Sequence, residues 1–300
     1  MALVVRRLTQ TPDLGVAPAT GTHPLRGRCV VVATMHGKEA VLGPPLRAAL
    51  GVEIVVPNGF DTDRFGTFTG SVPRRDTALE AARQKAHAAL QLGGTSTAVA
   101  SEGSFGPHPA SPFLTIGAEL VLLCDVELGL EVVAEDVGTA TNFAARAVAS
   151  LDEARSFAEQ VGFPSHQLVV APPGRLEAGE RGLGDEASFA AALSRQFDLH
   201  GRALVATDMR ADRNPTRLQA IARAAQRLAE RAATLCPACR WPGFGRVRVE
   251  PGLPCGACGE PTERVRAEVF GCARCPEQRV QARRDGLVVA DPGECSACNP

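Results

Sequence analysis

Four Cys-x-x-Cys pairs crowd into residues 236–300 of this 300-residue chain: Cys236/Cys239, Cys255/Cys258, Cys272/Cys275 and Cys295/Cys298. The first 22 residues lack the continuous apolar stretch of a secretory signal, which makes the cytoplasm the default compartment. There, paired cysteines hold metal rather than disulfides. Four thiolates satisfy one tetrahedral Zn²⁺, so eight predict two closed structural zinc sites with no open position for catalysis. The pairs are separated by 15, 13 and 19 residues. The two longer gaps predict consecutive ribbons, pairs one and two on one ion and three and four on the other. An interleaved cross-brace, one with three and two with four, fits the same spacing.

A region this short and this rich in cysteine buries little else; Trp241, Phe244 and Phe270 are its aromatic cover. Nine arginines face eight acids in it, and eight thiolates with two divalent ions bring the loaded module to a charge of about −3. Phosphate-backbone binding needs clustered positive charge, so no duplex DNA is expected as a partner. No apolar stretch reaches the roughly 18 residues of a membrane helix, so no membrane is expected either.

Ahead of the cysteines the pattern is that of an α/β domain over 27–235, following a Pro- and Thr-bearing leader, 1–26, without periodicity. Cys29–Ala33 is an apolar run suited to a strand covered on both faces. A helix is predicted over 38–50, a strand over 52–56, an Ala-rich helix over 80–92 and a strand over 96–101. The runs 118–126 and 130–137 flank Gly129 as a hairpin. Thr141 or Asn142 is the expected cap of a helix reaching Val161. Strands at 168–171 and 203–206, a helix near 186–197 and a long helix begun by Asn214-Pro215 complete the domain. The expected fold is therefore a mixed sheet flanked by helices, followed by a small double zinc-ribbon module.

Three polar segments interrupt strand–helix junctions, where α/β proteins build sites. Thr34, His36 and Lys38 follow the first strand, as small residues leading into a helix N-terminus that can hold an anion. Glu80 and Lys85 share the Ala-rich helix but stand about 140° apart on it, too far round for a surface pair. Residues 101–109 crowd Ser101, Glu102, Gly103, Ser104 and His108 into what reads as a loop leaving a strand. Farther on, Asp208, Arg210, Asn214 and Arg217 cluster after a strand; the two arginines can clamp a phosphate or carboxylate, and Asn214 reads as a helix cap. Basic and acidic residues number 32 and 33, yet the only lysines are Lys38 and Lys85. A lysine kept in a chain otherwise using arginine marks a place where a planar fork cannot replace a compact ammonium. Cys29 and Cys124 stand alone among apolar residues and read as core.

Over residues 28–106 these segments resemble the inosine triphosphate pyrophosphatase-like superfamily. Its Ala-Thr-x-Asn-x-x-Lys appears here as Ala33-Thr34 with His36 in the Asn place and Lys38 one residue early. Glu80, Ala82, Lys85 and Ala86 match its helix motif, and Ser101-Glu102-Gly103 its acidic loop; its later Gly-Phe-Gly-Tyr-Asp-Pro is absent. Over nearly the whole chain the sequence is similar to an uncharacterised bacterial family known only as a domain of unknown function, through residues 100–109, Thr207–Arg210, Asn214–Arg217 and the closing Asp291–Pro300.

The first resemblance implies a metal-dependent hydrolase acting on a nucleoside triphosphate or similar phosphate-bearing small molecule. Glu80 and Glu102 would hold Mg²⁺ or Mn²⁺, and Lys38 and Lys85 would neutralise phosphate charge. The alternative is a non-catalytic nucleotide- or metabolite-binding protein whose zinc ribbons dock a partner protein.

Overall fold

Cys29–Ala33 forms β1, and Val30, Val31 and Val32 are fully buried, as a strand covered on both faces requires. The computed structural model describes residues 22–62, 65, 77–108 and 111–300; most of the expected leader lies outside them. The described residues fall into two compact units, Leu25–Ala229 and Glu230–Pro300, the second including residues 22–24.

In the first unit β1 pairs in parallel with β2 (Glu53–Val55) and β3 (Thr97–His108). Beyond β3 the sheet turns antiparallel through β4 (Ser111–Asp125) and β5 (Leu130–Gly138), giving the order β2-β1-β3-β4-β5. Helix α1 (Glu39–Leu50) runs through Pro44 and Pro45 and ends on Gly51 in the left-handed conformation. Helix α2 (Ala78–Gly93) is capped by the Thr77 hydroxyl. Its Ala82, Ala86 and Ala89 pack on Val31, Ala98, Ala100, Leu120 and Leu122, small residues that let helix and sheet approach closely.

Three sequence expectations are corrected here. Residues 101–108 are no loop: they continue β3, paired residue by residue with β4 as far as Pro107↔Thr115. Their Gly, Ser and Pro content reads locally as a turn, but the partner strand supplies the order from outside. The helix expected from Thr141 or Asn142 starts later, as α3 (Leu151–Gln160) capped by Ser150. The residues between form β6 (Ala145–Val148) on β9 (Ala203–Thr207), a pairing across some sixty residues that local pattern cannot show. Finally, the later strands do not join the first sheet. With β7 (Leu168–Ala171) and β8 (Glu180–Leu183) they make a second sheet, β6-β9-β7-β8. It has its own core, in which Phe157 of α3 and Phe189 and Leu193 of α4 (Glu186–His200) pack on Leu168, Val170 and Val205.

Helix α5 (Pro215–Ala233) buries Ile221, Ala224, Ala225 and Leu228, one stripe at helical spacing. Asn214 caps it, its Oδ1 accepting from the Arg217 amide at 3.0 Å. The second unit is a meander of β10 (Gly245–Pro251), β11 (Val265–Gly271) and β12 (Gln278–Ala282). Among the described residues no helix is long and apolar enough to cross a membrane.

Candidate functional site

β1 ends at Ala33, opposite Ala100, whereas β3 runs on beside β4 to His108. Where the shorter strand stops, Glu102 of β3 lines a cleft between the two sheets of the first unit, with about 820 Å³ of non-atom space, part of it open to solvent. Five cations line it, Lys38, Lys85, Arg181, Arg210 and Arg217, against two carboxylates, Glu102 and Asp208. Phe143, Val169, Leu176 and Met209 form its apolar wall, and His36 lies at its margin, 3.5 Å from Asp212.

Each cation is held differently. Lys85, 6% exposed, reaches from α2 to the buried Glu102 carboxylate as an ion pair. Lys38, 7% exposed, donates to the Ser101 hydroxyl at 3.0 Å. The Thr34 hydroxyl shapes the loop that presents it, accepting from the amides of His36 and Lys38 at 3.2 and 3.4 Å. Burial first, then the charges of Arg217 and Lys85, push the Lys38 amine down to about 7, against the pull of Glu119 and Glu102. Arg210 is fixed by Asp208, which also accepts from the Gly182 amide at 3.0 Å. Arg217, on the first turn of α5, donates its Nε to Glu119 at 2.7 Å and an Nη to the Met209 carbonyl, and lies over the Phe105 ring.

Glu119 is the member that sequence reasoning missed. It is 1% exposed and its Oε2 has no hydrogen-bond partner. The available signal was an acid inside Ala118–Val126, a run otherwise read as buried strand. Gly103 stands opposite it on β3, and a Cβ there would come 2.5 Å from Glu119 Oε1 and 2.9 Å from Arg217 Nη2. The glycine is there for close approach, not for a turn.

Of the residues singled out from sequence, the cleft gathers His36, Lys38, Lys85, Glu102, Arg210 and Arg217, with Ser101 behind Lys38. It does not gather Glu80, Ser104 or His108. Glu80 is half exposed and engaged by Arg83 at 3.2 Å, and Arg83 in turn grips Glu131. The five-residue step that turns Lys85 inward leaves Glu80 on another side of α2. The Glu80/Glu102 pair expected to hold Mg²⁺ or Mn²⁺ is therefore not assembled. Ser104 is exposed and His108 closes β3.

The eight cysteines come together as two sets of four, Cys236/Cys239/Cys272/Cys275 and Cys255/Cys258/Cys295/Cys298. The ligation is interleaved, which corrects the consecutive assignment. The meander is the reason: each strand carries the chain to the opposite end, so pairs one and three meet at one end and two and four at the other. Within each set, between its two pairs, Sγ atoms stand 3.6 and 3.6 Å apart in the first and 3.8 and 3.7 Å apart in the second. Thiolates at about 2.3 Å from one tetrahedral ion are about 3.8 Å apart, so both sets fit a metal without rearrangement. The amides of Ala257 and Arg274 donate to Cys255 and Cys272; backbone donors of this kind pull the Cys255 thiol down to about 7, whereas burial pushes that of Cys272 up. The first two pairs share a backbone pattern, with the Arg240 amide on the Cys236 carbonyl and the Gly259 amide on the Cys255 carbonyl, both at 2.9 Å. Arg240 and Gly259 both have φ near +60 to +76°, and Arg240 does so without glycine's freedom. Among the described residues no other group of three or more Cys, His or acidic side chains can hold an ion.

No curated protein matches the chain. A family model described as a domain of unknown function (DUF6671) matches residues 85–300, which takes in Lys85, Glu102, Glu119, Arg210, Arg217 and all eight cysteines. By that match, which spans well over half its length, the chain belongs to the DUF6671 family.

Proposed function

We propose that the cleft of the first unit binds a phosphate-bearing small molecule, and that the second unit carries two structural zinc ions. One observation carries the first reading. A chain that uses arginine at 30 of its 32 basic positions keeps two lysines, both are buried, and both line the same cleft beside three arginines. Burying cations without equal numbers of carboxylates is costly, and an anion supplied from outside offsets that cost. Arg210 and Arg217 are pinned by Asp208 and Glu119, so their guanidinium groups are pre-organised for phosphate oxygens.

The sequence also implied metal-dependent hydrolysis of a nucleoside triphosphate. That reaction needs a carboxylate pair free to take Mg²⁺, whereas Glu80 is engaged by Arg83 and Glu102 by Lys85. The arrangement favours holding the anion over metal-assisted attack. The soft, four-thiolate donor sets suit zinc, which would brace the meander and leaves no open position for a reacting water.

Calorimetric titration of the purified protein with pyrophosphate and with nucleoside mono- and triphosphates, with and without Mg²⁺, tests the cleft. Saturable binding lost in Arg217→Ala supports it; absence of binding to every phosphate compound defeats it. Phosphate or pyrophosphate release in the same samples would restore the hydrolase. Elemental analysis giving close to two zinc ions per chain supports the second unit's reading, and one or fewer refutes it.

A further inference from the structure

The two lysines are not equivalent. Lys85 has its charge met by Glu102, whereas Lys38, among the described residues, has no carboxylate within ion-pair distance and only the Ser101 hydroxyl as hydrogen-bond partner. An ammonium buried in that way, with Arg217 and Lys85 as its cationic neighbours, gives up its proton rather than bear the cost of desolvation. Glu119 and Glu102 oppose this only in part, and the amine sits at about 7. About half of the groups presented to the cleft are therefore free amine at neutral pH. Phosphate binding alone does not require this, since arginine serves there as well or better. Arginine cannot lose its proton, however, and has no nucleophilic nitrogen to offer. At Lys38, one of the two places where this chain has a lysine, an uncharged nitrogen is available.

We propose that Lys38 is the nucleophile of an imine-forming site for small aldehydes or ketones that carry a phosphate group. The proposal rests on the reading of the cleft as a phosphate site: the arginines hold the phosphate and the amine meets the carbonyl. The Lys38 nitrogen adds its lone pair to the carbonyl carbon, forming a C–N bond while the oxygen takes up a proton. The resulting carbinolamine loses that oxygen as water and becomes the imine. No electrons are gained or lost overall, and water reverses the step. Ser101, hydrogen-bonded to the same nitrogen, is placed to relay the proton that leaves it. Glu102 stands in ion-pair contact with Lys85 and so occupies the second lysine.

The chain's composition makes the test clean, because only Lys38, Lys85 and the N-terminal amine can be labelled. The full-length protein is incubated with glyceraldehyde 3-phosphate and cyanoborohydride, and the adduct is mapped by peptide mass. The expected result is an adduct at Lys38, formed at least about tenfold faster than at Lys85 or with glyceraldehyde lacking the phosphate, tenfold being the least that one charge-assisted contact supplies. Pyrophosphate should suppress it, and Lys38→Arg should abolish it while still binding pyrophosphate. Equal labelling of the two lysines, or no Lys38 adduct in protein that binds pyrophosphate, overturns the nucleophile and leaves the phosphate site standing. Loss of pyrophosphate binding by the unmodified protein removes the phosphate site itself. Should Lys38→Arg misfold, the rate ratio between the two aldehydes on the unmodified chain decides the matter alone.

Discussion

The two units solve the problem of a stable interior in opposite ways. The first buries apolar side chains against each of its sheets and can therefore tolerate charge inside, with Lys38, Lys85, Glu102, Glu119 and Arg217 all less than one-tenth exposed. The second has little apolar matter to bury. Every residue of β12 is exposed and so is most of β10, leaving Leu253, Ala267, Val269, Trp241 and Phe244 around the cysteines. On the reading proposed above, its cohesion comes from metal held by the two cysteine sets. One unit thus has stability to spend on a polar cleft, whereas the other has little to spare.

The sole tryptophan, Trp241, belongs to the second unit and reports on it alone. Chelation, or Cys258→Ser, is expected to unfold that unit outright, since ligand binding energy of about 10 kcal/mol per site is its folding energy. The check is a red-shifted Trp241 emission with circular dichroism retaining the helices, all of which but the last turn of α5 belong to the first unit. Native Trp241 emission after complete zinc removal would erase the contrast.

Next in size is a break in the first unit. Glu119→Ala strands the buried Arg217 guanidinium and is expected to cost about 3–5 kcal/mol in denaturant unfolding, with Trp241 unaffected. Replacing both partners, Glu119→Leu with Arg217→Met, should recover most of that loss while abolishing pyrophosphate binding. Gly103→Ala is expected to cost about 1–3 kcal/mol by driving a methyl group into the same ion pair.

A finer probe is protonic. Free Lys38 is largely neutral above pH 7, and a bound polyanion favours its ammonium form. Pyrophosphate binding at pH 8 should therefore take up roughly one proton, and at pH 6 almost none. Lys85, Glu102, Glu119 and Arg217 are the charged groups that act on Lys38, and comparing binding heats in buffers of different ionisation enthalpy measures the uptake. Equal uptake at both pH values would show that Lys38 is not the group involved. Smallest of all, Arg240→Gly relieves a left-handed residue in the first cysteine turn and should stabilise the second unit by about 0.5–1 kcal/mol, seen as a later Trp241 transition.

What could be read in advance divides along physical lines. Elements fixed by their own residues were legible: the β1 valines, the alanine face of α2, the Asn214 cap and the cysteine pairs. Features fixed by distant partners were not. Residues 101–108 are strand because β4 lies beside them, and β6 exists because β9 does. Glu119 and Gly103 acquire meaning only from the register that sets them opposite each other. Both lysines could be flagged by rarity, but their different partners depend on Glu102 reaching one and not the other.

The interleaved cysteine sets also bear on how such a unit can be inherited. Partners in each set lie 33 to 43 residues apart along the chain. A break anywhere between Cys258 and Cys272 leaves both sets with two thiolates each, too few to hold an ion in a closed site. Neither half is a smaller version of the whole. Consecutive ribbons can be gained, lost or shuffled one at a time, whereas a transfer that carries only half of a cross-braced pair carries no complete donor set.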